Sequence, residues 1–176
     1  MDMKATLKSA TDKLAGAFSP DKAPQETDVL DTLKKEHDEV QELLANLVDS
    51  DKAAERKSLL KQVKAALIPH SKAEEKVVYD AVIAAKSQKN KNQIDGAEGY
   101  LEHALASQTL LKLDKIIPMT SPEFTAHAKV LKELIDHHVQ EEERNIWADV
   151  KENFDSDARI AMNLRFLAAK KKVKVP

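Results

Sequence analysis

Four of the chain's six histidines stand where the surrounding pattern calls for an apolar residue. His37 falls among Leu30, Leu33, Val40, Leu44 and Leu47, and His70 among Leu60, Val63, Leu67, Val77, Ala81 and Ala84. His103 shares a stripe with Ala106, Leu110, Leu113 and Ile117, and His138 with Phe124, Ala128, Leu131 and Ile135. The steps of three and four are those of one helical face. Two stripes also carry a glutamate one turn after the histidine, Glu74 and Glu142. A buried, unpaired carboxylate costs several kcal/mol or takes up a proton. A metal cation shares the lone pairs instead, because residues i and i+4 project from one side of a helix, about 6 Å apart along its axis.

With 15 glutamates in 176 residues, six histidines should give about half a case of His-x-x-x-Glu; three occur, His70–Glu74, His137–Glu141 and His138–Glu142. The last two are not independent, since they share the HH and EEE runs. An internal repeat strengthens the pattern. KKEHDEVQELL and PHSKAEEKVVYDAV form one half, YLEHALASQTLL and DHHVQEEERNIWADV the other, each giving Glu-His and then His-x-x-x-Glu-Glu. The histidines are 33 residues apart in one half and 35 in the other, a symmetry that suits two metal ions bridged by two carboxylates.

The elements that must position these residues are helices. Helix 1 is expected over about Val29 to Val48 with Asp28 as its cap, and helix 2 over Ala53 to Ser87, kinked near Pro69. SQKNKNQIDG reads as a loop, helix 3 spans about Ala97 to Ile117, and helix 4 runs from Pro122 to about Phe154. The fold class is all-α, an up-down-up-down antiparallel four-helix bundle over residues 28–155. Residues 1–27 read as an N-terminal amphipathic helix (Met3, Leu7, Ala10, Leu14, Phe18) and linker, and 156–176 as a short C-terminal helix with a basic tail.

The ordered motifs H…HxxxE…H…HxxxE, carried by EH, HSKAEE and HHVQEEE, resemble the hemerythrin-like HHE cation-binding domain family over about residues 29 to 150. The resemblance implies a non-haem diiron centre inside the bundle, with ligands His37, His70, Glu74, His103, His138 and Glu142. Glu74 and Glu142 would be the bridges, alongside a bridging oxo or hydroxo group. Oxygen-carrying members have a second histidine one turn after the first on helix 3; here Ser107 stands there. That departure moves the expectation from reversible oxygen carriage toward sensing, iron handling, or peroxide and nitric oxide chemistry.

Taken singly, His37 and His103 read as core histidines; within the four-part pattern they read as ligands. Aligning Trp147 with Tyr79 pairs His138 with His70, so His138 is preferred to His137, although a shift of one residue would exchange them. His127 lies about 16 Å along the helix from His138 and reads as a bundle-end histidine. Glu75, Glu141 and Glu143 are expected to be solvated or to sit behind the ligands, and Glu36 and Glu102 to lie on the surface. Tyr79 and Trp147 are expected to form core layers beneath the site.

Imidazole and carboxylate donors favour iron, manganese or zinc over calcium or magnesium. Two divalent ions carry +4 against −2 from two glutamates, which favours a further anionic ligand such as hydroxide or peroxide in a dry core. The function expected is binding of, or reaction with, O2, peroxide or NO. The rivals are a catalase-like peroxide-decomposing enzyme and a metal-free helical interaction module.

Composition excludes other chemistry. No cysteine means no thiolate site or disulfide, and three glycines leave no phosphate-cradling loop. A net charge of −2 gives no global basic field, so no nucleic-acid partner is expected. The absence of an apolar run or h-region points to a cytoplasmic protein with no membrane partner. A homo-oligomer could form through the N-terminal helix. The tail KKKVKVP imitates a nuclear import signal but reads as a frayed basic end.

Overall fold

A computed structural model describes residues 26–85 and 89–176. The expected N-terminal helix falls on residues outside that range. Helix α1 (Val29–Asp49) starts at Asp28, whose carboxylate accepts from Leu30 N at 3.0 Å and so satisfies one of the free amides of the first turn. Helix α2 (Ala53–Glu74) carries Pro69 inside it and runs into a π-helical turn (Glu75–Tyr79), then a short α3 (Asp80–Ala84). Helices α4 (Lys89–Leu113) and α5 (Pro122–Arg144) follow; Ser121 caps the latter by accepting from Phe124 N at 3.1 Å. Asn145 interrupts the chain before α6 (Ile146–Asn153), and Asp155 caps α7 (Ser156–Lys170).

Among the described residues the only regular elements are helices, and four helical rods form the bundle. Helix α1 packs on α2 and α5, α4 packs on α5 and on the α3 end of the second rod, and α7 lies across α1, α2 and the π turn. Arg159 fastens α7 by donating to Asp28, the α1 cap, at 2.6 Å. Two apolar clusters fill the interior. One gathers Val40, Leu44, Leu47, Leu60, Leu67, Leu110, Leu113, Phe124 and Leu131. The other gathers Val29, Leu33, Val78, Tyr79, Val82, Ile146, Val150, Met162 and Phe166. Each fully buried aliphatic side chain contributes about 1.5–3 kcal/mol, so these two layers supply the main favourable contribution to packing the helices together.

Three expectations need correction. The stretch read as a loop over 87–96 is helical from Lys89 onward. Asn92 is buried there, Lys91 donates to Asp149 on α6 at 2.7 Å, and Gly96 lies against Ile83; these tertiary contacts outweigh the loop-like composition. On the second rod, Val77 and Ala81 are half-buried and Ala84 exposed, while Val78, Tyr79 and Val82 are buried. The π turn adds a residue and moves the inward face forward by one position. Helix α4 ends at Leu113, so Ile117 is 86% exposed and Ile116 takes the core position.

Candidate metal centre

The six residues singled out in the sequence converge between the two apolar clusters, every one at most 3% exposed. On α1, His37 sits one turn after Leu33 and just before Val40, so the periodicity that buries the leucines also buries the imidazole. His70 and Glu74 close α2, His103 projects from α4, and His138 and Glu142 project from α5. Their donor atoms form two groups, His37–His70–Glu74 and Glu74–His103–His138, each with its atoms within 4.8 Å of one another. Glu74 belongs to both: its Oε2 lies 3.2 Å from His70 Nε2 and 3.6 Å from His103 Nε2. Glu142 Oε2 spans the same gap from the other side, 3.2 Å from His138 Nε2 and 3.8 Å from His37 Nε2.

Three buried atoms of these residues have no hydrogen-bond partner: His37 Nε2 and Glu74 Oε1 in the gap, and His103 Nδ1 behind it. Orphaned buried acceptors cost about 1–3 kcal/mol each, which a cation bound in the gap would remove for the first two. The donor set, neutral nitrogen plus carboxylate, fits a transition-metal ion.

A second ring of carboxylates stands behind the histidines, each supplied by a different helix. Glu36 Oε2 is 2.9 Å from His70 Nδ1, and Glu102 Oε2 is 2.7 Å from His138 Nδ1. Glu143 Oε1 is 3.1 Å from His37 Nδ1, and Glu75 Oε1 is 3.4 Å from His103 Nδ1. Such partners orient an imidazole so that its other nitrogen faces a metal, and raise its basicity. Glu36 and Glu102, expected on the surface, are therefore partly buried working parts. Their signal was the repeated Glu-His pair, but which histidine each one serves is a relation between helices. Cations lie outside three of them: Lys170 at 2.6 Å from Glu36, Lys72 at 2.8 Å from Glu75, and Lys34 at 3.8 Å from Glu143. Beyond Glu102 lies His137, at 3.6 Å.

The aromatic residues repeat the same two-part plan. Tyr79 stacks on His103 with ring centres 5.4 Å apart, and Trp147 stacks on His37 at 5.9 Å. Tyr79 Oη donates to Glu142 Oε2 at 3.0 Å and reaches Glu74 Oε2 at 3.5 Å; Trp147 Nε1 donates to Glu142 Oε1 at 3.1 Å. Both residues lie five positions after their motif glutamate, which in an α-helix is about 140° away from it. The π turn after Glu74 and the break at Asn145 after Glu142 bring each ring back over the site. Gly99 makes room for Tyr79, since a Cβ there would lie 2.6 Å from its Cε2.

Burial pushes His37 and His103 down to about 4, so both are neutral at pH 7. Burial also lowers His70 and His138, but Glu74 and Glu36 on one side, and Glu102 and Glu142 on the other, outweigh it and raise each to about 10. Burial and the charge of Glu142 push Glu74 up to about 7. Burial raises Glu142 too, but His37 and His138 hold it well below the usual carboxylate range. Burial lifts Tyr79 well above 10, so its hydroxyl keeps its proton. The protein balances its buried charges with protons that a metal would displace.

The remaining candidates lie outside the cluster. His137 has a 58% exposed side chain, and His127 bonds the Glu123 carbonyl of its own helix. Glu141 pairs with Arg144, and Ser107 is half-buried one turn after His103.

The profile described as the hemerythrin HHE cation binding domain matches residues 28–149. The chain belongs to that family. A curated relative, a protein of Nostoc sp. (strain PCC 7120) named DNA nickase, is 24% identical over 149 residues, 85% of this chain. The chain spans 41% of that relative's length. No solved structure matches. Among the described residues, no helix is long and apolar enough to cross a membrane.

Proposed function

We propose that the chain is a non-haem diiron protein that binds or reacts with a small oxygen-derived ligand: O2, peroxide or NO. The observation that carries this reading is the double use of Glu74, shared by two buried histidine pairs with Glu142 facing it. On this reading His37 and His70 hold one ion, His103 and His138 the other, and Glu74 and Glu142 bridge, in a bundle whose rods run up-down-up-down. The first apolar cluster draws on all four rods and the second on the first, second and fourth with Tyr100 of α4 packed against it, which supports that topology. Ions of iron would supply redox chemistry and open positions for an oxygen-type ligand; manganese or zinc fits the same donors.

The protein's own groups have definable work around such a pair. The four outer carboxylates hold the imidazoles in one tautomer and orientation. Tyr79 keeps a proton on Oη beside the two bridging carboxylates, ready to donate a hydrogen bond at the centre. Six protein donors for two ions, with Ser107 where an oxygen carrier has a further histidine, leave room for exogenous ligands and favour reaction or sensing over carriage.

Metal analysis of the full chain, purified without chelator after iron supplementation, is the test, combined with its optical spectrum. Two ions per chain are expected, and one or none would overturn the reading. Peroxide decomposition by the loaded protein would assign it to the enzymes, whereas a reversible spectral change without turnover would assign it to the sensors. The name of the Nostoc relative keeps DNA among the substrates to be tried, with supercoiled plasmid as the probe.

A further inference from the structure

The two halves of the centre match inside but differ in what covers them. Over His37 and His70 lies α7: Phe166 meets the His70 ring edge-on at 5.9 Å, and Lys170 reaches Glu36 at 2.6 Å. Trp147 covers His37 on the same side. Over the other half a narrow cleft opens to the surface, its floor formed by Tyr79, His138 and Glu142. Its walls come from α4 and from the α5–α6 junction, with Gly99 and Asn145 among them. Four carboxylates line it: Asp95, Glu98, Glu102 and Glu141. Lys91 pairs with Asp95, Arg144 with Glu141 and His138 with Glu102, which leaves the cleft negative through Glu98 at its rim and Glu142 at its floor.

We propose that this cleft is the route by which divalent cations reach the centre. A passage lined by one sign of charge between low-dielectric walls concentrates ions of the opposite sign and speeds their arrival. The buried His138 and Glu142 at its floor give those ions a destination. Phe166, Trp147 and the Lys170–Glu36 pair cover the other half. Small neutral molecules pass the same mouth, and anions are disfavoured there. This route rests on the two-ion reading above.

The test uses the full chain stripped of metal and mixed rapidly with Co2+, with uptake followed by its ligand-field absorption at several salt concentrations. Glu98→Lys should slow uptake about threefold or more at low salt, and Glu98→Gln less. The difference should shrink as salt shortens the screening length, about 10 Å at 0.1 M. The ions bound at the end point should not change. Arg165→Glu, on the exposed face of α7, should leave the rate as it is in the parent. Parent-like rates in Glu98→Lys at every salt, or an equal effect of Arg165→Glu, would overturn the route. Fewer than two Co2+ bound by the parent would instead defeat the two-ion reading, and the route with it.

Discussion

Tyr79 Oη donates a hydrogen bond to Glu142 Oε2 at 3.0 Å, joining the second rod of the bundle to a residue 63 positions further along the chain. The bond couples one half's aromatic residue to the other half's carboxylate. A hydrogen bond to a charged group contributes about 1.5–3 kcal/mol, and more is at stake where the acceptor is buried. Tyr79→Phe should therefore lower the stability of the metal-free protein by about that amount in urea unfolding, with helix content unchanged. A loss below about 0.5 kcal/mol would mean that Trp147 and His138 alone satisfy Glu142.

The carboxylates divide by position. Glu74→Ala or Glu142→Ala should abolish binding of two ions, while Glu75→Ala should weaken it by about 10- to 100-fold, the usual cost of losing an outer partner. Glu141→Ala should change little, because Glu141 faces Arg144 rather than a histidine. Titration of each variant with Co2+ checks the order, and equal behaviour of Glu74→Ala and Glu75→Ala would contradict it.

Stability of the metal-free protein should peak near pH 6. Between about 4.5 and 5.5 the unfolded chain protonates His37 and His103, which the folded protein keeps neutral down to about 4, while folded Glu74 holds one proton up to about 7. The net is about one extra proton on the unfolded side, so stability rises with pH there by about 1.4 kcal/mol per unit. Above about 6 the sign reverses, because the unfolded histidines lose their protons around 6.5 while folded Glu74 keeps its own to about 7 and His70 and His138 stay protonated to about 10. Urea unfolding from pH 4.5 to 9.5 should trace this maximum, and a monotonic curve would refute it.

Metal binding must expel those same protons. At pH 8, addition of Co2+ to the metal-free protein should release about two protons per chain, from His70 and His138. A pH indicator in weak buffer measures this directly. Release of none would mean that these imidazoles are not the ones that bind.

Gly99→Ala should cost about 1–3 kcal/mol, since its methyl would lie 2.6 Å from the Tyr79 ring and the ring must move. In a double-mutant cycle with Tyr79→Leu the two losses should fall short of adding, because the second substitution removes the clash. Full additivity would place the strain elsewhere.

The four stripes and the six central residues could be read from the sequence because a histidine or glutamate at a leucine position violates a simple periodicity. Aligning Trp147 with Tyr79 prefers His138 to His137; in the fold His138 is buried and His137 exposed. The outgoing half of the second rod could not be read. Apolar spacing assigns Val77 and Ala81 inward, but the wider turn at Glu75–Tyr79 is a backbone hydrogen-bonding choice that leaves no mark in residue type. The pairing of Glu36 with His70, or of Glu143 with His37, was equally hidden, since it depends on which helices are neighbours.

The wide turn also separates secondary structure from chemistry. Deleting one residue between Glu75 and Tyr79 would let the rod continue as ordinary α-helix, with its backbone still bonded and its circular dichroism unaltered. Yet everything beyond the deletion would rotate by about 100°, carrying the phenol away from the carboxylates and turning a different set of side chains toward the core. A change in the length of this five-residue stretch would thus leave helix content as it is while taking Tyr79 from the centre and Val78 and Val82 from the core, so it would show in the metal chemistry and in unfolding but not in a measure of secondary structure.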